Sequence, residues 1–245
     1  MRVAVRGMGR MGREIAHMIE QTEGMRFLTG IDPRGGDGLP CVDNLAQLKE
    51  QPTCIVDVSL HSEIDGLLTY AKAHKIPLVI GTTGFTEAEQ ASIAAASREI
   101  PIFISSNFSV GLALLTNFAY EVARRIPDGD IEIVESHHRE KRDAPSGTAL
   151  ALFSAIESAR GNAKAKIGRN GDTPREAGEV GIHSLRLGET VGEHTLYITT
   201  PTQQLVLRHT ATSRRLFAEG AMRAIHFITQ QRPALYRMED LWEKN

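Results

Sequence analysis

The fold is decided near the amino terminus, by the stretch Val3-Ala4-Val5-Arg6-Gly7-Met8-Gly9-Arg10-Met11-Gly12. Its apolar start, Val3 to Val5, predicts a short buried strand that ends at the glycine-rich turn Gly7-x-Gly9-x-x-Gly12. Apolar residues then recur at the spacing of one helix face: Met11, Ile15, Met18 and Ile19. The stretch therefore predicts a strand, a tight glycine turn and a helix in succession.

The rest of the first half repeats this alternation of strand and helix. Short apolar runs predict further strands at residues 25–31, 54–58, 77–80 and 102–104. The segments between them predict a loop at 33–40, a weak helix carrying Leu45 and Leu48, a helix with an apolar stripe at 64–71, and a helix opened by a capping box at 86–89. Because parallel strands need crossovers long enough to hold a helix, the pattern predicts a parallel sheet covered on both faces.

The regular alternation of strand and helix ends near Asn107, where we place a domain boundary. The pattern there predicts helices at 111–125, from about Pro145 and from about Ser213, a strand at 131–138, a long mobile loop at 161–181, and strands at 180–187, 193–200 and 204–209 that pair as an antiparallel meander. We therefore expect an α/β protein. Its first domain, residues 1–106 and 213–245, is a Rossmann-type doubly wound parallel sheet, and its second, residues 107–212, is an α+β domain with a mixed, largely antiparallel sheet.

The composition excludes several classes of protein. The 245 residues carry a net charge of −2, so no bulk positive field favours a nucleic-acid partner. Apolar runs fall far short of the ~20 residues of a membrane span, and the amino terminus lacks a secretory signal, so we expect a cytoplasmic protein without membrane association. The two cysteines, Cys41 and Cys54, are interpreted as small buried hydrophobes rather than a disulfide.

The glycine turn is a candidate nucleotide site. Gly7, Gly9 and Gly12 would let the backbone approach a pyrophosphate at a helix amino terminus. Asp32 follows the second strand, twenty residues past Gly12, where a carboxylate accepts hydrogen bonds from ribose hydroxyls and repels a 2′-phosphate. This favours NADH, although Arg10 and Arg34 leave NADPH open. The structural alternative is that the glycines only pack helix on strand and that Asp32 caps a loop.

Two more segments follow predicted strands at the same sheet edge. They are Gly81-Thr82-Thr83-Gly84 and Ser105-Ser106-Asn107-Phe108. Small residues there expose main-chain groups that could hold a carboxamide such as that of nicotinamide. Alternatively, both segments are ordinary turns.

The densest chemistry lies between Glu135 and Thr148. His137 and His138 would point to opposite faces if the strand persisted through both, so we expect different roles for them. Lys141 adds a cation, and a helix starting at Pro145 would present free amides from Ser146, Gly147 and Thr148 as an anion cradle. The pattern predicts a site for a small carboxylate- or phosphate-bearing molecule.

Simpler interpretations of the same histidines remain open. His137 and His138 could belong to a solvated strand end. We predict no metal site, because no H-E-x-x-H motif exists and His183, His194 and His209 lie on separate predicted strands. The basic run Arg160, Lys164, Lys166 and Arg169 is interpreted as a solvated loop that could also close over an acidic substrate.

At this point the sequence resembles the 4-hydroxy-tetrahydrodipicolinate (dihydrodipicolinate) reductase family of the diaminopimelate route to lysine. Glu135 to Ala149 is similar to the family signature E-x-H-H-x-x-K-x-D-A-P-S-G-T-A. Gly81 to Phe85 resembles its G-T-T-G-F segment, Asn107 to Gly111 its N-F-S-V-G, and Val191 to His194 a further family run. The similarity covers essentially the whole chain.

The resemblance implies an NAD(P)H-dependent reduction of the cyclic imine that forms when 4-hydroxy-tetrahydrodipicolinate loses water. It implies His137 as acid/base group, Lys141 as proton donor, and a substrate-carboxylate grip by His138 and the Ser146–Thr148 turn. On the cofactor side it points to Gly7, Met8, Gly9, Arg10, Met11, Gly12, Asp32, Gly81, Thr82, Thr83, Ser105, Ser106, Asn107 and Phe108. It also implies that the first domain binds the dinucleotide, while the second binds the substrate and builds a homotetramer.

Two departures from the family pattern bear on the cofactor. The family turn is commonly G-x-x-G-R-M-G, whereas this one is a residue shorter, and Pro33 follows Asp32 where relatives often carry arginine. The second departure favours NADH. Two alternatives stay open: another two-domain dehydrogenase of a small amino or keto acid, and a non-catalytic NAD(P)H-binding redox sensor.

Overall fold

The structure is a computed structural model and describes residues 1–242. The chain forms two compact units, one of Met1–Ser109 together with the segment from Arg215 onward, the other of Val110–Arg214. The strands are β1 Arg2–Arg6, β2 Arg26–Ile31, β3 Cys41–Val42, β4 Cys54–Asp57, β5 Leu78–Ile80, β6 Ile102–Ile104, β7 Asp130–His137, β8 Lys164–Ile167, β9 Glu179–Arg186, β10 Gly192–Thr200, β11 Gln203–Ala211 and β12 Leu235–Tyr236. The α-helices are α1 Arg10–Gln21, α2 Ile64–His74, α3 Glu87–Ala96, α4 Val110–Arg125, α5 Gly147–Arg160 and α6 Arg215–Ile228.

The first unit is built on a seven-stranded sheet in the order β12-β6-β5-β4-β1-β2-β3, and every pairing is parallel. This confirms the Rossmann-type sheet, in which strand order reverses beside β1. The five predicted strands are present, and the capping box of Thr86 and Glu89 opens α3. The weak helix at Leu45 is a single 3₁₀ turn, Leu45–Gln47, and β3 and β12 escape prediction because each has only two residues.

The second unit contains a five-stranded mixed sheet in the order β11-β10-β7-β9-β8. β10 pairs antiparallel with β11 and β7, whereas β9 pairs parallel with β7 and β8. The predicted meander is therefore wrong for β9, because β7 lies between β9 and β10. The shared preference of these strands for one buried face carries no information about which neighbours they take.

The long loop predicted at 161–181 is also wrong in part, because it contains β8. Arg175 ties the following segment to the sheet: its side chain donates to the Ile131 carbonyl at 3.0 Å and the Glu179 carbonyl at 2.6 Å. Arg169 pairs with Glu179, and the Arg160 guanidinium donates to the Ile126 carbonyl at 2.8 Å. Half of the predicted basic run therefore supports the fold.

The two cores follow the alternation of each sheet. In the first unit the β-strands pack against α2 and α3 through fully buried Ile55, Leu67, Leu78 and Ile102. In the second unit, one sheet face packs against α4 and α5 through Leu115, Ile133, Leu152, Ile182 and Leu196. Cys54 is buried, Cys41 half-buried, and neither forms a disulfide. Among residues 1–242, no helix is long and apolar enough to span a membrane.

Candidate functional site

Two glycines of the first turn are required by backbone packing. Gly7 has φ +89°, and a Cβ on it would lie 2.5 Å from the Val58 carbonyl oxygen. A Cβ on Gly12 would lie 1.9 Å from the Gly7 oxygen. Both glycines therefore serve close backbone packing: Gly12 lets α1 approach β1, and Gly7 lets the turn approach the end of β4.

Gly9 behaves differently. It is the N-cap of α1, makes no side-chain capping bond, and has open space where a Cβ would stand. Within residues 1–242, the first-turn N–H groups of Arg10 and Met11 have no acceptor, and the Arg10 side chain is exposed. The turn thus presents free donors and the positive end of the helix dipole, which suits a phosphate group.

Asp32 lies beside this turn and is 4% exposed. Its carboxylate accepts the Met8 N–H at 2.9 Å and pairs with the Arg34 guanidinium at 3.0 Å. The hydrogen bond from Arg34 lowers the pKa of Asp32 to about 2, against the opposing effect of burial. Asp32 is therefore ionised at any working pH, and its carboxylate is aligned by the same turn that holds the free amides.

A cleft of about 730 Å³ opens next to Asp32 within the first unit. Its walls include Gly7, Gly9, Asp32, Leu45 and Leu67. The free amides, the ionised carboxylate and the apolar wall together fit a dinucleotide, whose pyrophosphate, ribose and adenine need those three kinds of contact.

A buried polar network supports this cleft from below, and sequence reasoning missed it. Arg6 donates to Asp57 at 2.9 Å and to Ser59 at 2.7 Å, and it also pairs with Glu63. Asp57 is fully buried and accepts the Thr82 hydroxyl at 2.7 Å. The only available signal was a charged residue at the end of an apolar strand, Arg6 after Val5.

This network gives Thr82 a role different from the predicted cofactor contact. Its oxygen also accepts the Ser59 N–H at 3.0 Å, so the buried hydroxyl is directed into the protein. Gly81 packs under the Phe108 ring, where a Cβ would approach to 2.7 Å. Thr83 is exposed at the sheet edge.

The segment after β6 is shaped by its own side chains. Ser105 donates to the Asn107 carbonyl at 2.6 Å, and the Asn107 side chain accepts the Ser109 N–H at 2.8 Å. Phe108 is buried and stacks with Phe103, and Ser106 is exposed. Gly81–Thr83 and Ser105–Phe108 thus follow neighbouring parallel strands and lie at one sheet edge.

The second candidate site centres on Glu135, a fully buried residue of β7. Its carboxylate lies 2.5 Å from Nδ1 of His137 and receives two hydrogen bonds from Arg186, each 3.0 Å long. Burial raises the pKa of Glu135, but the bonds from Arg186, Ser184 and His137 outweigh it and leave the pKa below its usual value. His137 therefore faces an ionised partner through Nδ1, which leaves Nε2 as its working nitrogen.

The start of α5 differs from its predicted form. The helix begins at Gly147 and not at Pro145. Ser146 is its N-cap, and the Ser146 hydroxyl accepts the Ala149 N–H. The Ser146 N–H is not free, because it donates to Glu135 at 3.2 Å. Within residues 1–242, the N–H groups of Gly147 and Thr148 have no acceptor, so the anion cradle consists of these two donors.

His194 joins this cluster, although the sequence placed it on a separate strand. Its ring centroid lies 5.2 Å from that of His137, and its Nε2 is 3.2 Å from the Ser146 hydroxyl. Gly192, two residues earlier on β10, leaves room for His137, since a Cβ there would be 3.2 Å from Nε2. The signal was the run Val191-Gly192-Glu193-His194, whose alternation places Gly192 and His194 on one sheet face.

Lys141 and His138 occupy the loop between β7 and α5. The Lys141 ammonium pairs with Asp143 at 2.8 Å and keeps 22% of its side chain exposed. β7 ends at His137, one residue short of the prediction, so His138 lies in the loop and its carbonyl accepts the Lys141 N–H at 3.1 Å. The second site therefore combines a carboxylate-held histidine, a lysine and two free amides.

Comparison with known proteins accounts for both units. Family models described as dihydrodipicolinate reductase match the chain, the N-terminal model over residues 1–108 and the C-terminal model over 111–242. A 4-hydroxy-tetrahydrodipicolinate reductase of Caldanaerobacter subterraneus subsp. tengcongensis is 38% identical over 96% of this chain and 95% of its own. That of Alkaliphilus oremlandii is 39% identical over 95% of this chain and 94% of its own.

One solved structure is of the same family, and another shares only the fold. A dipicolinate-bound dihydrodipicolinate reductase from Paenisporosarcina sp. TG-14 superposes with a TM-score of 0.82 at 25% identity, over 97% of each chain. An amine dehydrogenase from Mycobacterium smegmatis shares the fold alone, with a TM-score of 0.63 at 13% identity. On the strength of its two family matches and its full-length relatives, this chain belongs to the dihydrodipicolinate reductase family.

Proposed function

We propose that the protein reduces 4-hydroxy-tetrahydrodipicolinate to tetrahydrodipicolinate with a nicotinamide cofactor, in the diaminopimelate route to lysine. The observation that carries this is the second site, where the His137 ring is held by the buried Glu135 carboxylate beside the free amides of α5. A dianionic ring needs both features, a proton source and neutral or cationic donors for carboxylates. The relative solved with bound dipicolinate supports a small dicarboxylate as the ligand class.

The cofactor is NAD(P)H, held by the glycine turn and the cleft beside Asp32, and it supplies the hydride when bound. We propose NADH as the preferred form. The Asp32 carboxylate and the following Pro33 support this preference, while the largely exposed Arg34 side chain could still receive a 2′-phosphate. Gly81–Thr83 and Ser105–Phe108 remain the proposed contacts for the nicotinamide end, through main-chain groups in the case of Thr82.

The remaining steps belong to side chains of the second unit. Gly147, Thr148 and His138 would grip a carboxylate, and the Lys141 ammonium would add a positive charge. The proton that completes the reduction would come from Lys141 or from Nε2 of His137. Glu135 stabilises the protonated form of His137, whereas burial opposes it and sets the net pKa below the ordinary value.

The test is an assay of NADH absorbance with freshly prepared 4-hydroxy-tetrahydrodipicolinate. We expect turnover in the parent, and a loss of roughly 10²–10⁴-fold in Lys141→Ala and His137→Ala. Arg142→Ala is the matched control, since Arg142 is exposed next to Lys141. Turnover only with aspartate or homoserine would assign another dehydrogenase, and tight NADH binding without turnover would indicate a redox sensor.

We also propose a cytoplasmic homotetramer assembled through the second sheet. Its outer strand β11 exposes 39% of Leu205 and 45% of Val206, which supports contact with another copy. Light scattering on the purified protein would detect the tetramer, and replacing both residues with lysine should shift it to smaller species. A parent that stays monomeric at micromolar concentration would contradict this.

A further inference from the structure

Arg186, at the end of β9, uses all five of its guanidinium N–H groups. Nη1 and Nη2 each donate to the Glu135 carboxylate at 3.0 Å. The other three donate to carbonyl oxygens: Lys141 at 3.3 Å, Leu185 at 2.6 Å and Asp143 at 2.5 Å. A planar fork with five fixed donors is the property that separates arginine from lysine.

These bonds reach both groups to which the proposed function assigns proton transfer. Through Glu135, Arg186 acts on His137, whose Nδ1 lies 2.5 Å from the same carboxylate. Through the two loop carbonyls it fixes the backbone on either side of Arg142, and therefore the point from which the Lys141 side chain extends. Among the hydrogen bonds described for residues 1–242, those of Arg186 link the Glu135 carboxylate directly to the Lys141 main chain.

We infer that Arg186 is the positioning residue of the second site. It holds the Glu135 carboxylate so that His137 carries its proton on Nδ1 and works through Nε2. It also fixes the backbone from which the Lys141 side chain extends towards that nitrogen. The inference deepens the proposed function and rests on it for the roles of His137 and Lys141. Arg186 itself keeps its donors inside the protein and leaves none for a ligand.

The charges around His137 define the expected effect of pH. Burial lowers the pKa of His137, Glu135 raises it, and Lys141 and Arg186 lower it again. His194 packs edge-on against the ring and, being buried, holds its own pKa at about 4, so it stays neutral near pH 7. Neutralising Glu135 removes the contribution that raises the pKa of His137.

The experiment compares Arg186→Lys and Glu135→Gln with the parent. Arg124→Lys is the control, because Arg124 pairs with Glu121 on the surface of α4 and 48% of its side chain is exposed. Nitrogen-15 spectra of histidine-labelled protein report the tautomer of His137. The His137 signals are assigned by their absence from the spectrum of His137→Gln. Steady-state assays from pH 5.5 to 9 report kcat and KM, and NADH fluorescence reports cofactor binding.

We expect the parent to show His137 protonated on Nδ1 and both variants to show a mixture of tautomers. In both, kcat should fall on the order of 10²-fold, the cost of misplacing a reacting group by about 1 Å, while NADH binding stays within twofold. If protonated His137 is required, the alkaline limb of the pH profile moves to lower pH in Glu135→Gln. Arg124→Lys should match the parent in every readout.

Retention of the parent tautomer in Glu135→Gln, or kcat within threefold of the parent in Arg186→Lys, would overturn the inference. If Arg186→Lys does not fold, the nearly isosteric Glu135→Gln decides the outcome. A parent that does not oxidise NADH with the cyclic substrate would refute the proposed function instead, and the tautomer measurement would still test the clamp.

Discussion

His194 and Ser146 join β10 to the first turn of α5: His194 Nε2 lies 3.2 Å from the Ser146 hydroxyl oxygen. That oxygen already accepts the Ala149 N–H, so the hydroxyl proton is available for Nε2. His194 is 2% exposed, and its Nδ1 has no partner among residues 1–242. A charge on His194 would be buried beside His137, with Nδ1 unpartnered and only the nearby Glu135 to offset it. We therefore expect a neutral His194.

The first prediction concerns stability as a function of pH. Burial lowers the pKa of His194 to about 4, from about 6.5 in the unfolded chain. Between these values the unfolded state binds a proton that the folded state does not, so stability falls as the pH drops from about 6.5 towards 4. Across this window we expect the parent to lose about 2–4 kcal/mol of unfolding free energy relative to His194→Gln.

Urea unfolding at pH 7.5, 6, 5 and 4 would measure the difference between parent and variant at each pH. His17→Gln is the control for a histidine-to-glutamine change outside the site, since His17 lies on α1 with 56% of its side chain exposed. A constant difference between the parent and His194→Gln would show that His194 is not held neutral.

The second prediction concerns two glycines, each at the start of a helix. Gly147 is the first residue of α5 and Gly9 the N-cap of α1, and at both a Cβ would meet open space. Gly147→Ala should stabilise the fold by up to about 1 kcal/mol, because alanine fits the helical backbone there. It should nevertheless weaken dipicolinate binding at least tenfold, since the methyl group occupies the approach to the free amides.

Gly9→Ala should affect the other ligand. We expect it to weaken NADH binding and to leave dipicolinate binding within twofold of the parent. Isothermal titration of each variant with each ligand separates the two effects, and thermal unfolding checks the fold. If either variant weakened the binding of both ligands equally, that helix start would not be the binding site of one ligand alone.

The sequence predicts most of the first unit because its strands are short, mostly apolar runs separated by segments with helical patterns. The periodicity of a strand does not encode its neighbour, however, and this is why β9 was paired with β10 instead of β7. The same limit separated His194 from His137: the two residues are 57 positions apart and meet only because β10 lies beside β7.

Side-chain direction was the other limit. Thr82 follows β5 as predicted, yet its hydroxyl turns inward to the buried Asp57, which itself looked like one more strand residue. The Ser146 amide was predicted to be free, and Glu135, eleven residues earlier, accepts it. A motif gives the order of chemical groups along the chain, but which of them remain free depends on residues outside the motif.

The third prediction tests the buried pair beneath the nucleotide cleft. Asp57 is fully buried, and Arg6 is 7% exposed. Asp57→Ala should cost about 3 kcal/mol, because it removes the buried acceptor of Arg6 and Thr82 and leaves the guanidinium with only Ser59 and the exposed Glu63 as partners. Asp65→Ala, on the exposed face of α2, should cost less than about 1 kcal/mol.

The measurement is urea unfolding at pH 7, with Arg6→Met/Asp57→Leu as the coupling control. The double variant should be more stable than Asp57→Ala, because a neutral pair of similar bulk leaves no charge behind. A double variant no more stable than Asp57→Ala would mean that the Arg6 charge does not depend on Asp57.

The fourth prediction addresses cofactor choice, which depends on one carboxylate and one guanidinium. Asp32 binds Arg34, and in NADH-bound protein the same carboxylate would accept the ribose hydroxyls and repel a 2′-phosphate. Asp32→Asn keeps an oxygen for the Met8 N–H but removes the charge, so the ratio of kcat/KM for NADH to that for NADPH should fall at least tenfold, about 1.4 kcal/mol. Arg34→Ala should instead reduce activity with NADPH only.

Because the hydrogen bond from Arg34 keeps the pKa of Asp32 at about 2, the parent ratio should not change between about pH 7.5 and 9, where the 2′-phosphate of NADPH is also fully ionised. Paired assays with both cofactors give the ratio directly. Asp37→Asn is the control, since Asp37 lies on the same loop with 75% of its side chain exposed. A parent that prefers NADPH by more than tenfold would contradict the assigned roles of Asp32 and Pro33. An unchanged ratio in Asp32→Asn would place the discrimination elsewhere in the cleft, and Arg34, which also lines it, would be the first residue to test.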